Sequence, residues 1–308
     1  MNSIQNSFEN PKVSIILVNW NNSYDTIECI ESLKQLIYYN NEIIVVDNNS
    51  TYDSIKELEN VDNINLIQNN NNLGFAGGNN VGIEFALKGN SDYVLLLNND
   101  TVVDERFLSI LIKGATEEKN IGIIGGKIYY YNEPAKIWSA GGGLTKTTKR
   151  TFQYGENKID KKQYNREKEV DFLSGCCMLI RREVFEKIGL LDADYFMYYE
   201  DVDFCLRANK FFKILYLPEA LIWHKVSATT EKSFRDYYRM RNYIYLLKKR
   251  FETNLFHILL FSSVIFVERL LRMFFRRIFF NDSEKLSNRI SALVRGQADG
   301  LKYQTKYE

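Results

Sequence analysis

Two polar clusters in the 308-residue chain contain carboxylates that directly follow apolar runs. Asn98-Asn99-Asp100 has oxygen atoms of the kind that bind a divalent cation. Glu200-Asp201-Val202-Asp203 follows an aromatic segment, and a carboxylate held against an apolar wall has the raised pKa of a general base. A simpler interpretation exists for each, because Asn and Asp are frequent in turns and acidic residues are frequent in the first turn of a helix.

A buried strand is predicted immediately before the first cluster. Residues 93–97 are Tyr-Val-Leu-Leu-Leu, an unbroken run typical of a strand that is covered on both faces. Ligands of open α/β sheets bind beyond the carboxyl ends of such strands. Asp100 is therefore predicted to lie at a ligand-binding edge of a sheet.

Strands and helices alternate through the first hundred residues. Short β-branched runs end in polar residues, and apolar residues recur at helical spacing between them. The predicted strands cover residues 13–18, 42–46, 64–67 and 93–97, and the predicted helices cover 25–36, 53–58 and 79–87. This order predicts an α/β fold with a doubly wound, mainly parallel, Rossmann-like sheet.

A glycine-rich segment with Gly74, Gly77 and Gly78 leads into the helix predicted over residues 79–87. It does not match the dinucleotide fingerprint, which follows the first strand and precedes an acidic residue about twenty positions further on. Backbone N–H groups at such a turn could hold a diphosphate. The glycines could equally allow close packing of the chain, and the sequence leaves both interpretations open.

The second half of the chain contains further strands and helices and one long polar segment. Strands are predicted over 122–129, 171–180, 214–217 and 220–224, and helices over 105–115 and 183–188. Residues 132–169 are rich in loop-forming residues, and because long loops are often functional, Trp138 is predicted to shape a binding surface. His224 falls at the end of a strand, where a lone histidine is more often structural than a ligand.

Composition argues against several classes of protein. The formal charge is +1 with 26% charged and 45% hydrophobic residues, which gives no basic surplus for nucleic acid. The cysteines form no C-x-x-C pair and are expected to be reduced core residues. The first six residues lack a basic segment followed by an apolar core, so no secretory signal is predicted and a cytoplasmic location is expected.

Residues 231–280 contain 11 Lys and Arg residues against four Asp and Glu residues. Their apolar segment 255–267 is shorter than the roughly 20 residues that span a bilayer. Interleaved apolar residues and arginines predict helices that lie on an anionic membrane surface. The residues predicted to enter the acyl boundary include Leu270, Met273, Phe274 and Phe280. The alternative is a helical pair that packs on the domain or forms a homodimer.

Several motifs occur in a fixed order along residues 12–245. They are Val13-Ser-Ile-Ile-Leu-Val-Asn-Trp-Asn21, Val45-Val-Asp47-Asn-Asn-Ser-Thr51, Asn72-Leu-Gly74-Phe-Ala-Gly-Gly-Asn-Asn80-Val-Gly82, Leu97-Asn98-Asn99-Asp100, Ser174-Gly175, Tyr199-Glu200-Asp201-Val-Asp203 and Trp223-His224. Taken together, this ordered set resembles the inverting family 2 glycosyltransferases of the GT-A fold, particularly bacterial rhamnosyltransferases.

The resemblance implies roles for the matching residues. Asp201 matches the catalytic base, and Asp47 matches the residue that accepts a hydrogen bond from the pyrimidine of the donor. The implied donor-binding residues are Asn21, Asp47, Gly77, Asn80, Asn98 and Asp100. The implied ligands of a divalent cation, Mn²⁺ or Mg²⁺, are Asp100 and His224, which reverses the structural interpretation of His224. The implied acceptor-side residues are Trp138, Gly175 and Glu200.

Two positions depart from the pattern of the family. Asn98 stands at the first position of the D-x-D motif, so one negative charge is missing and the cation is expected to depend more on the donor diphosphate. Asn79 stands where many members have an arginine, which removes a cationic contact to phosphate.

These implications predict a GT-A domain over residues 1–235, with a donor half at 12–104 and an acceptor half at 105–235, and a helical, basic and apolar extension over 236–308. The expected activity is the metal-dependent, inverting transfer of a sugar from a nucleotide-diphosphate donor to a glycan or polyprenyl-diphosphate-linked acceptor. The first candidate for the sugar is rhamnose, with dTDP-rhamnose as the donor. The expected location is the inner face of the plasma membrane. Alternatives are a nucleotidyltransferase acting on sugar phosphates and a non-catalytic glycan-binding relative.

Overall fold

The computed structural model describes residues 10–226, 231–279 and 285–304. Within these residues, ten strands form one sheet and two form a separate hairpin. The strands of the sheet are β1 (Val13–Asn19), β2 (Asn41–Asp47), β3 (Asn65–Gln68), β4 (Tyr93–Leu97), β5 (Thr101–Val103), β6 (Ile121–Tyr130), β7 (Glu133–Ser139), β10 (Lys168–Glu169), β11 (Cys177–Arg181) and β12 (Lys213–His224). The hairpin consists of β8 (Gly142–Leu144) and β9 (Thr151–Gln153).

Nine helices surround these strands in the described part of the chain. They are α1 (Ser23–Leu33), α2 (Tyr52–Glu59), α3 (Gly74–Lys88), α4 (Phe107–Glu117), α5 (Arg182–Ile188), α6 (Glu200–Ala208), α7 (Lys232–Arg250), α8 (Leu255–Phe279) and α9 (Leu286–Lys302). A single 3₁₀ turn, Ala193–Tyr195, precedes α6.

Most of the main strands point in one direction. β3, β2, β1 and β4 lie side by side and parallel, as βαβ connections require. β11 runs antiparallel between β4 and β6, and β12 is parallel to β6. The predicted α/β fold with a mainly parallel sheet is therefore confirmed, and the GT-A pattern includes the reversed strand β11.

β4 is buried on both faces, as its apolar run predicts. Tyr93, Leu95 and Leu97 belong to the hydrophobic core on one face of the sheet, and Val94 and Leu96 belong to the core on the other. Each of these side chains is at most 3% exposed. The strand is therefore a rigid support for the polar residues that follow it.

Three segments differ from prediction. The polar segment 132–169 contains the strands β7 to β10 rather than one long loop, because β7 pairs with β6, β8 with β9 and β10 with β12. β11 begins only at Cys177, since Phe172 pairs outside the sheet with Gly142. The two strands predicted around Pro218 form one strand, β12, whose register with β6 shifts between Leu217 and Leu221.

The C-terminal helices have a core of their own, formed by α7, α8 and α9. Met240, Tyr243 and Ile244 of α7 are buried there. Gly296 and Gly300 lie one turn apart on α9, and side chains at these positions would collide with α7. Helix α7 spans the predicted boundary between residues 235 and 236, and that boundary stays a prediction. In the described ranges, no helix has both the length and the hydropathy needed to cross a bilayer.

Candidate active site

Asp100 and His224 lie side by side where β5 pairs with the carboxyl end of β12. β5 begins at Thr101 and pairs with the end of β12 so that Thr101 lies opposite His224. This register places His224 Nε2 3.0 Å from Asp100 Oδ1. Both side chains are buried. The two residues implied as metal ligands are therefore brought together by strand pairing.

Asn98 also contacts this pair. Its Nδ2 lies 3.3 Å from His224 Nε2, and its backbone N–H donates to the carbonyl of Cys176 at 3.0 Å. The neighbouring Asn99 has a different contact, since its Nδ2 donates to Thr26 Oγ1 at 2.8 Å. Asn98 therefore supplies hydrogen-bonding atoms beside the pair but no negative charge.

Trp138 packs edge-on against His224. The ring centroids are 4.7 Å apart and the ring planes cross at 86°. His224 Nδ1 is buried and has no hydrogen-bond partner among the described residues. The structure thus places Trp138 beside a candidate metal ligand, and its role towards the acceptor stays a prediction.

Among the acidic residues of α6, Asp203 has a structural environment. Its side chain is fully buried. Oδ1 accepts hydrogen bonds from the Tyr195 hydroxyl at 3.0 Å and from Arg250 Nε at 2.5 Å, and Oδ2 accepts from Arg207 Nε at 3.0 Å. Removing one partner of a buried ion pair costs about 3–5 kcal/mol, so Asp203 holds α6 to the end of α7.

Glu200 is buried beside Asp201 with one oxygen unsatisfied. It is 4% exposed, and Oε2 has no hydrogen-bond partner in the part of the chain that the structure describes. Burial, and then the charge of Asp201, raise the pKa of Glu200 well above its usual value. Of these two neighbouring acids, Glu200 therefore holds its proton more tightly.

Asp201 faces the turn that precedes β11. Its Oδ2 accepts the N–H of Gly175 at 2.9 Å, and its Oδ1 accepts the N–H of Val202 at 2.8 Å. Burial raises the pKa of Asp201, and these two hydrogen bonds oppose the rise. Gly175 has no space for a side chain, because a Cβ there would lie 2.9 Å from the ring of Phe75. An ionised carboxylate with a raised pKa has the properties of a general base.

One turn connects the two acidic groups. Gly175 binds Asp201 through its N–H, and the next residue, Cys176, binds Asn98 through its carbonyl. Burial raises the pKa of the Cys176 thiol, and the charges of Asp100 and Asp201 raise it further, so both carboxylates lie within electrostatic range of this one side chain. The segment that carries Asp100 and the side chain of Asp201 therefore contact the same turn.

Asp47 is the last residue of β2, and Asn21 lies two residues beyond the end of β1. Asp47 is fully buried; its Oδ1 accepts from Asn19 Nδ2 at 2.8 Å and its Oδ2 from the N–H of Ser50 at 2.9 Å. Asn21 Oδ1 accepts the N–H of Thr51 at 2.7 Å. Each Asp47 oxygen retains a second lone pair, so a pyrimidine contact is compatible with these bonds and stays a prediction.

The glycines lie inside α3 rather than in a loop before it, because this helix begins earlier than predicted. A Cβ at Gly78 would lie 2.9 Å from Val18 Cγ1, and one at Gly82 would lie 2.6 Å from Ile16 Cγ2. These two glycines therefore allow α3 to pack directly on β1, which supports the packing interpretation. A donor contact at Gly77 stays a prediction.

Asn80 makes a double contact with the backbone. Its Nδ2 donates to the carbonyl of Leu191 at 2.8 Å, and its Oδ1 accepts the N–H of the same residue at 3.0 Å. This pair of bonds ties α3 to the segment that leads into the 3₁₀ turn. The structure thus gives Asn80 a positioning contact, and its predicted donor contact stays untested.

The chemistry of the Asp100 and His224 side chains fits a divalent cation. A carboxylate oxygen and an imidazole nitrogen suit Mn²⁺, whereas Mg²⁺ favours oxygen ligands throughout. Over the described residues there is no group of three or more His, Cys, Asp or Glu side chains that could enclose a metal. Further ligands would therefore have to come from a bound molecule such as a diphosphate.

Two asparagines with central contacts were not singled out from the sequence. Asn19 ends β1 opposite Asp47 in the parallel register, so its position at the end of a buried strand was a usable signal. Asn242 lies on α7 and donates to carbonyl oxygens of Tyr195, Met197 and Tyr198. Nothing in the local pattern around Asn242 indicates this long-range contact.

The sheet with its reversed strand, and the two acidic groups at its edge, define a GT-A glycosyltransferase fold. The family model described as Glycosyl transferase family 2 matches residues 14–189, more than half of the chain. The chain therefore belongs to glycosyl transferase family 2.

Relatives with assigned names agree with this family. A low-salt glycan biosynthesis hexosyltransferase, Agl10 of Haloferax volcanii, is 33% identical over 199 residues, which are 64% of this chain and 62% of the relative. The dTDP-rhamnosyl transferase RfbF of Shigella flexneri is 23% identical over 259 residues, which are 78% of this chain and 81% of the relative. The match therefore spans less than two thirds of the Haloferax protein.

A solved structure shares the fold at low identity. The mannosyltransferase PcManGT from Pyrobaculum calidifontis, in complex with GDP-Man and Mn²⁺, superposes with a TM-score of 0.59 at 12% identity, covering 96% of this chain and 88% of that protein. The superposition extends over the C-terminal helices as well as the sheet, because it covers nearly all of this chain.

Proposed function

We propose that the protein transfers a sugar with inversion from a nucleotide-diphosphate donor to a glycan acceptor, with Asp201 as the general base. The observation that carries the proposal is that one turn, residues 174–176, binds Asp201 through Gly175 and the Asn98-x-Asp100 segment through Cys176. Single displacement needs a base for the acceptor hydroxyl and charge stabilisation for the departing diphosphate. The two carboxylate groups supply these two requirements separately.

Asp201 is the best base among the three acids of α6. Asp203 is held in ion pairs with Arg207 and Arg250, and Glu200 is buried with a pKa raised well above its usual value. Asp201 is partly exposed beside Gly175. It can therefore take the acceptor proton while the sugar C1–O bond to the diphosphate breaks and the bond to the acceptor oxygen forms, with no covalent intermediate.

Asp100 and His224 would hold the divalent cation, with Trp138 keeping the imidazole in place. When bound, such a cation neutralises charge on the leaving diphosphate. The residues of the chain alone contribute one negative charge here, from Asp100, because Asn98 replaces a carboxylate. Because one carboxylate is a small ligand set, the cation is expected to bind firmly only when the donor diphosphate is bound as well.

Rhamnose is proposed as the sugar and dTDP-rhamnose as the donor. The proposal is supported by the resemblance of the motifs and by the name of the Shigella relative, which is a dTDP-rhamnosyl transferase. Asp47 and Asn21 are proposed to face the pyrimidine, since they lie at adjacent strand ends near α3. Gly77 and Asn80 of α3 complete the proposed donor side.

A polyprenyl-diphosphate-linked glycan at the inner face of the plasma membrane is proposed as the acceptor. Support comes from the outer face of α8, where Leu255, Phe256, Leu271 and Ile278 are 62–73% exposed. Arg272 is exposed next to Leu271 and forms an ion pair with Glu268, so the support from this face is chiefly its apolar surface.

The predicted composition of this membrane face needs one correction. Met273 is 2% exposed and packs in the core between the C-terminal helices, so its assignment to the acyl boundary was wrong. Leu270 packs against the same core, whereas Phe274 is exposed. Phe280 lies outside the described residues. The helical stripe that includes Ile258, Ile265 and Met273 faces inward, which leaves the opposite stripe for a membrane.

Product analysis tests the proposed reaction. The full-length protein is incubated with Mn²⁺, a polyprenyl-diphosphate-linked glycan and a panel of nucleotide sugars that begins with dTDP-rhamnose and UDP-sugars, with Asp201→Asn as control. Release of nucleoside diphosphate that requires the glycan, seen with the wild type and not with Asp201→Asn, supports transfer. Release of pyrophosphate from a sugar phosphate and a nucleoside triphosphate would instead identify a nucleotidyltransferase. Donor-induced thermal stabilisation without turnover, in both proteins, would identify a non-catalytic relative.

A further inference from the structure

The aromatic turn, residues 195–199, sets the direction in which α6 begins. Phe196, Tyr198 and Tyr199 have positive φ angles of 62°, 70° and 74°. Residues other than glycine seldom adopt a positive φ angle, and they keep it only where surrounding contacts hold the backbone in place. α6 begins at the next residue, Glu200, so the orientation of Asp201 depends on the aromatic turn.

Helix α7 supplies the donors that hold the aromatic turn from one side. Asn242 Nδ2 lies 2.8 Å from the carbonyl oxygens of Tyr195 and Met197 and 2.7 Å from that of Tyr198. Asn242 is fully buried, and its two N–H groups are shared among these three acceptors. Its Oδ1 accepts from Arg241 Nε at 2.8 Å, which fixes the amide with Nδ2 towards the turn.

Helix α3 holds the aromatic turn from the other side. The carbonyl of Phe196 accepts the N–H of Ala76 at 3.2 Å. Gly74 approaches so closely that a Cβ there would lie 2.5 Å from the Phe196 ring. All four consecutive carbonyl oxygens from residue 195 to residue 198 are therefore bound, three by Asn242 and one by α3.

We infer that Asn242 is a positioning residue that fixes Asp201 against Gly175 by holding the aromatic turn in its left-handed conformation. The inference rests on the proposed function in that it takes Asp201 as the base. It makes α7, which follows the part of the chain matched by the family model, a component of the active site.

Few other side chains could replace this asparagine. Aspartate has the same shape but only accepts hydrogen bonds when ionised, so it would face three carbonyl oxygens without a proton to share. Serine keeps one donor but its hydroxyl lies closer to the helix backbone. Asn242→Ser is therefore the milder variant, and Asn242→Asp the more severe one.

The matched control is Leu247→Ala on the same helix. Leu247 is fully buried in the core between α7, α8 and α9, so the substitution destabilises α7 without removing a donor to the aromatic turn. An Asn288→Ala variant on the exposed surface of α9 serves as a second, neutral control. Thermal unfolding is measured first, so that all variants are compared well below their transition temperatures.

Exchange of the Gly175 amide hydrogen reports the position of Asp201 without any substrate, because this N–H donates to Asp201 Oδ2. The amide is followed by hydrogen exchange in the full-length protein, with Asp201→Ala as the reference for a lost bond. Asn242→Ser is expected to speed exchange at Gly175 towards that reference, whereas Leu247→Ala and Asn288→Ala leave it slow. Unchanged exchange at Gly175 in Asn242→Ser would overturn the inference.

Turnover gives the second readout. The rate at which nucleoside diphosphate is released from dTDP-rhamnose is measured in the presence of Mn²⁺. Asn242→Ser should lower kcat about 10²-fold with little change in the KM for the donor, because a reacting group is misplaced while the donor still binds. If Asp201→Asn keeps full turnover, the proposed base is wrong whatever Asn242 does. If Asp201→Asn is inactive and Asn242→Ser behaves like Leu247→Ala, the positioning role alone is refuted.

Discussion

His224 Nε2 and Asp100 Oδ1 lie 3.0 Å apart because β12 pairs with β5 in a register that sets His224 opposite Thr101. Neither residue could reach the other through its own local structure. The pair therefore exists only when β5 and β12 have paired, and Trp138 packs edge-on against its imidazole. Its chemistry can be tested separately from that of Asp201.

Asp100→Ala should weaken metal-dependent donor binding more than His224→Ala does, because a carboxylate contributes charge and a neutral imidazole does not. Asp104→Ala is the matched control, since this carboxylate lies just beyond β5 and forms an ion pair with Arg106. Titration of Mn²⁺ in the presence of donor, followed by thermal shift, gives the ranking. An unchanged metal requirement in both variants would place the cation elsewhere.

Asp201→Asn and Asp203→Asn should have opposite consequences. Asp201→Asn removes the base, so turnover should fall by about 10²–10⁴-fold while the unfolding temperature and donor binding are retained. Asp203→Asn weakens the buried ion pairs with Arg207 and Arg250 and should cost about 3 kcal/mol of stability. Denaturant unfolding and single-turnover assays on both variants separate the roles. Equal loss of turnover at equal stability would contradict the assignment.

Glu200→Gln should stabilise the protein increasingly as pH rises above about 4.5, the usual pKa of a glutamate. The folded state raises the pKa of Glu200, so the unfolded chain releases its proton first and wild-type stability is lost as pH rises towards the folded pKa. The glutamine variant lacks this linkage. Its advantage in unfolding temperature should be absent at acidic pH, grow with pH and then level off. A constant difference across pH would show that folding does not shift the pKa of Glu200.

Removing apolar side chains from the outer face of α8 should weaken binding to vesicles. Phe274→Ser combined with Ile278→Ser should lower binding to anionic vesicles. Arg272→Gln should weaken this binding by about 1 kcal/mol, and added salt should remove the same contribution from the wild type by screening it. Cosedimentation measures both. Met273 is left unchanged because it belongs to the core.

A homodimer is the competing outcome for this face. In that case the wild type would not bind vesicles of any charge and would sediment as a dimer. The double variant Phe274→Ser with Ile278→Ser would then be a monomer, and the outer face of α8 would be a subunit contact. Deletion of everything after Arg250 is a poorer test, because α9 packs closely on α7 and α7 holds the aromatic turn. Loss of activity in that truncation would follow from either model.

Sequence patterns predicted the parts of this structure that depend on local periodicity. The buried strand before Asp100 and the acidic start of α6 follow from runs of apolar residues and their abrupt ends. The contacts of Asn242 could not be predicted in this way, since they join α7 to a turn more than forty residues earlier. The positive φ angles of Tyr198 and Tyr199 were equally hidden, because tyrosine gives no local signal for that conformation.

The resemblance of the motifs assigned residues to a site but did not indicate their contacts. Asn80 falls in the glycine-containing motif, and its amide is bound to the backbone of Leu191. Trp138 was predicted to be on the acceptor side and packs on His224. In both cases the partner comes from a distant segment, so motif order alone could not indicate the contact.

The close approach of α9 to α7 at Gly296 and Gly300 has a consequence for protein engineering. Helices α7 and α9 must be exchanged as a pair. They pack closely because Gly296 and Gly300 have no side chains, and an α9 with larger residues there would bring Cβ atoms into the α7 backbone. Helix α8 has no such constraint on its outer face. A chimaera with a foreign outer face on α8, but with Ile258, Ile265 and Met273 kept, should therefore retain the aromatic turn, and would allow the proposed membrane face to be redesigned without altering the candidate site.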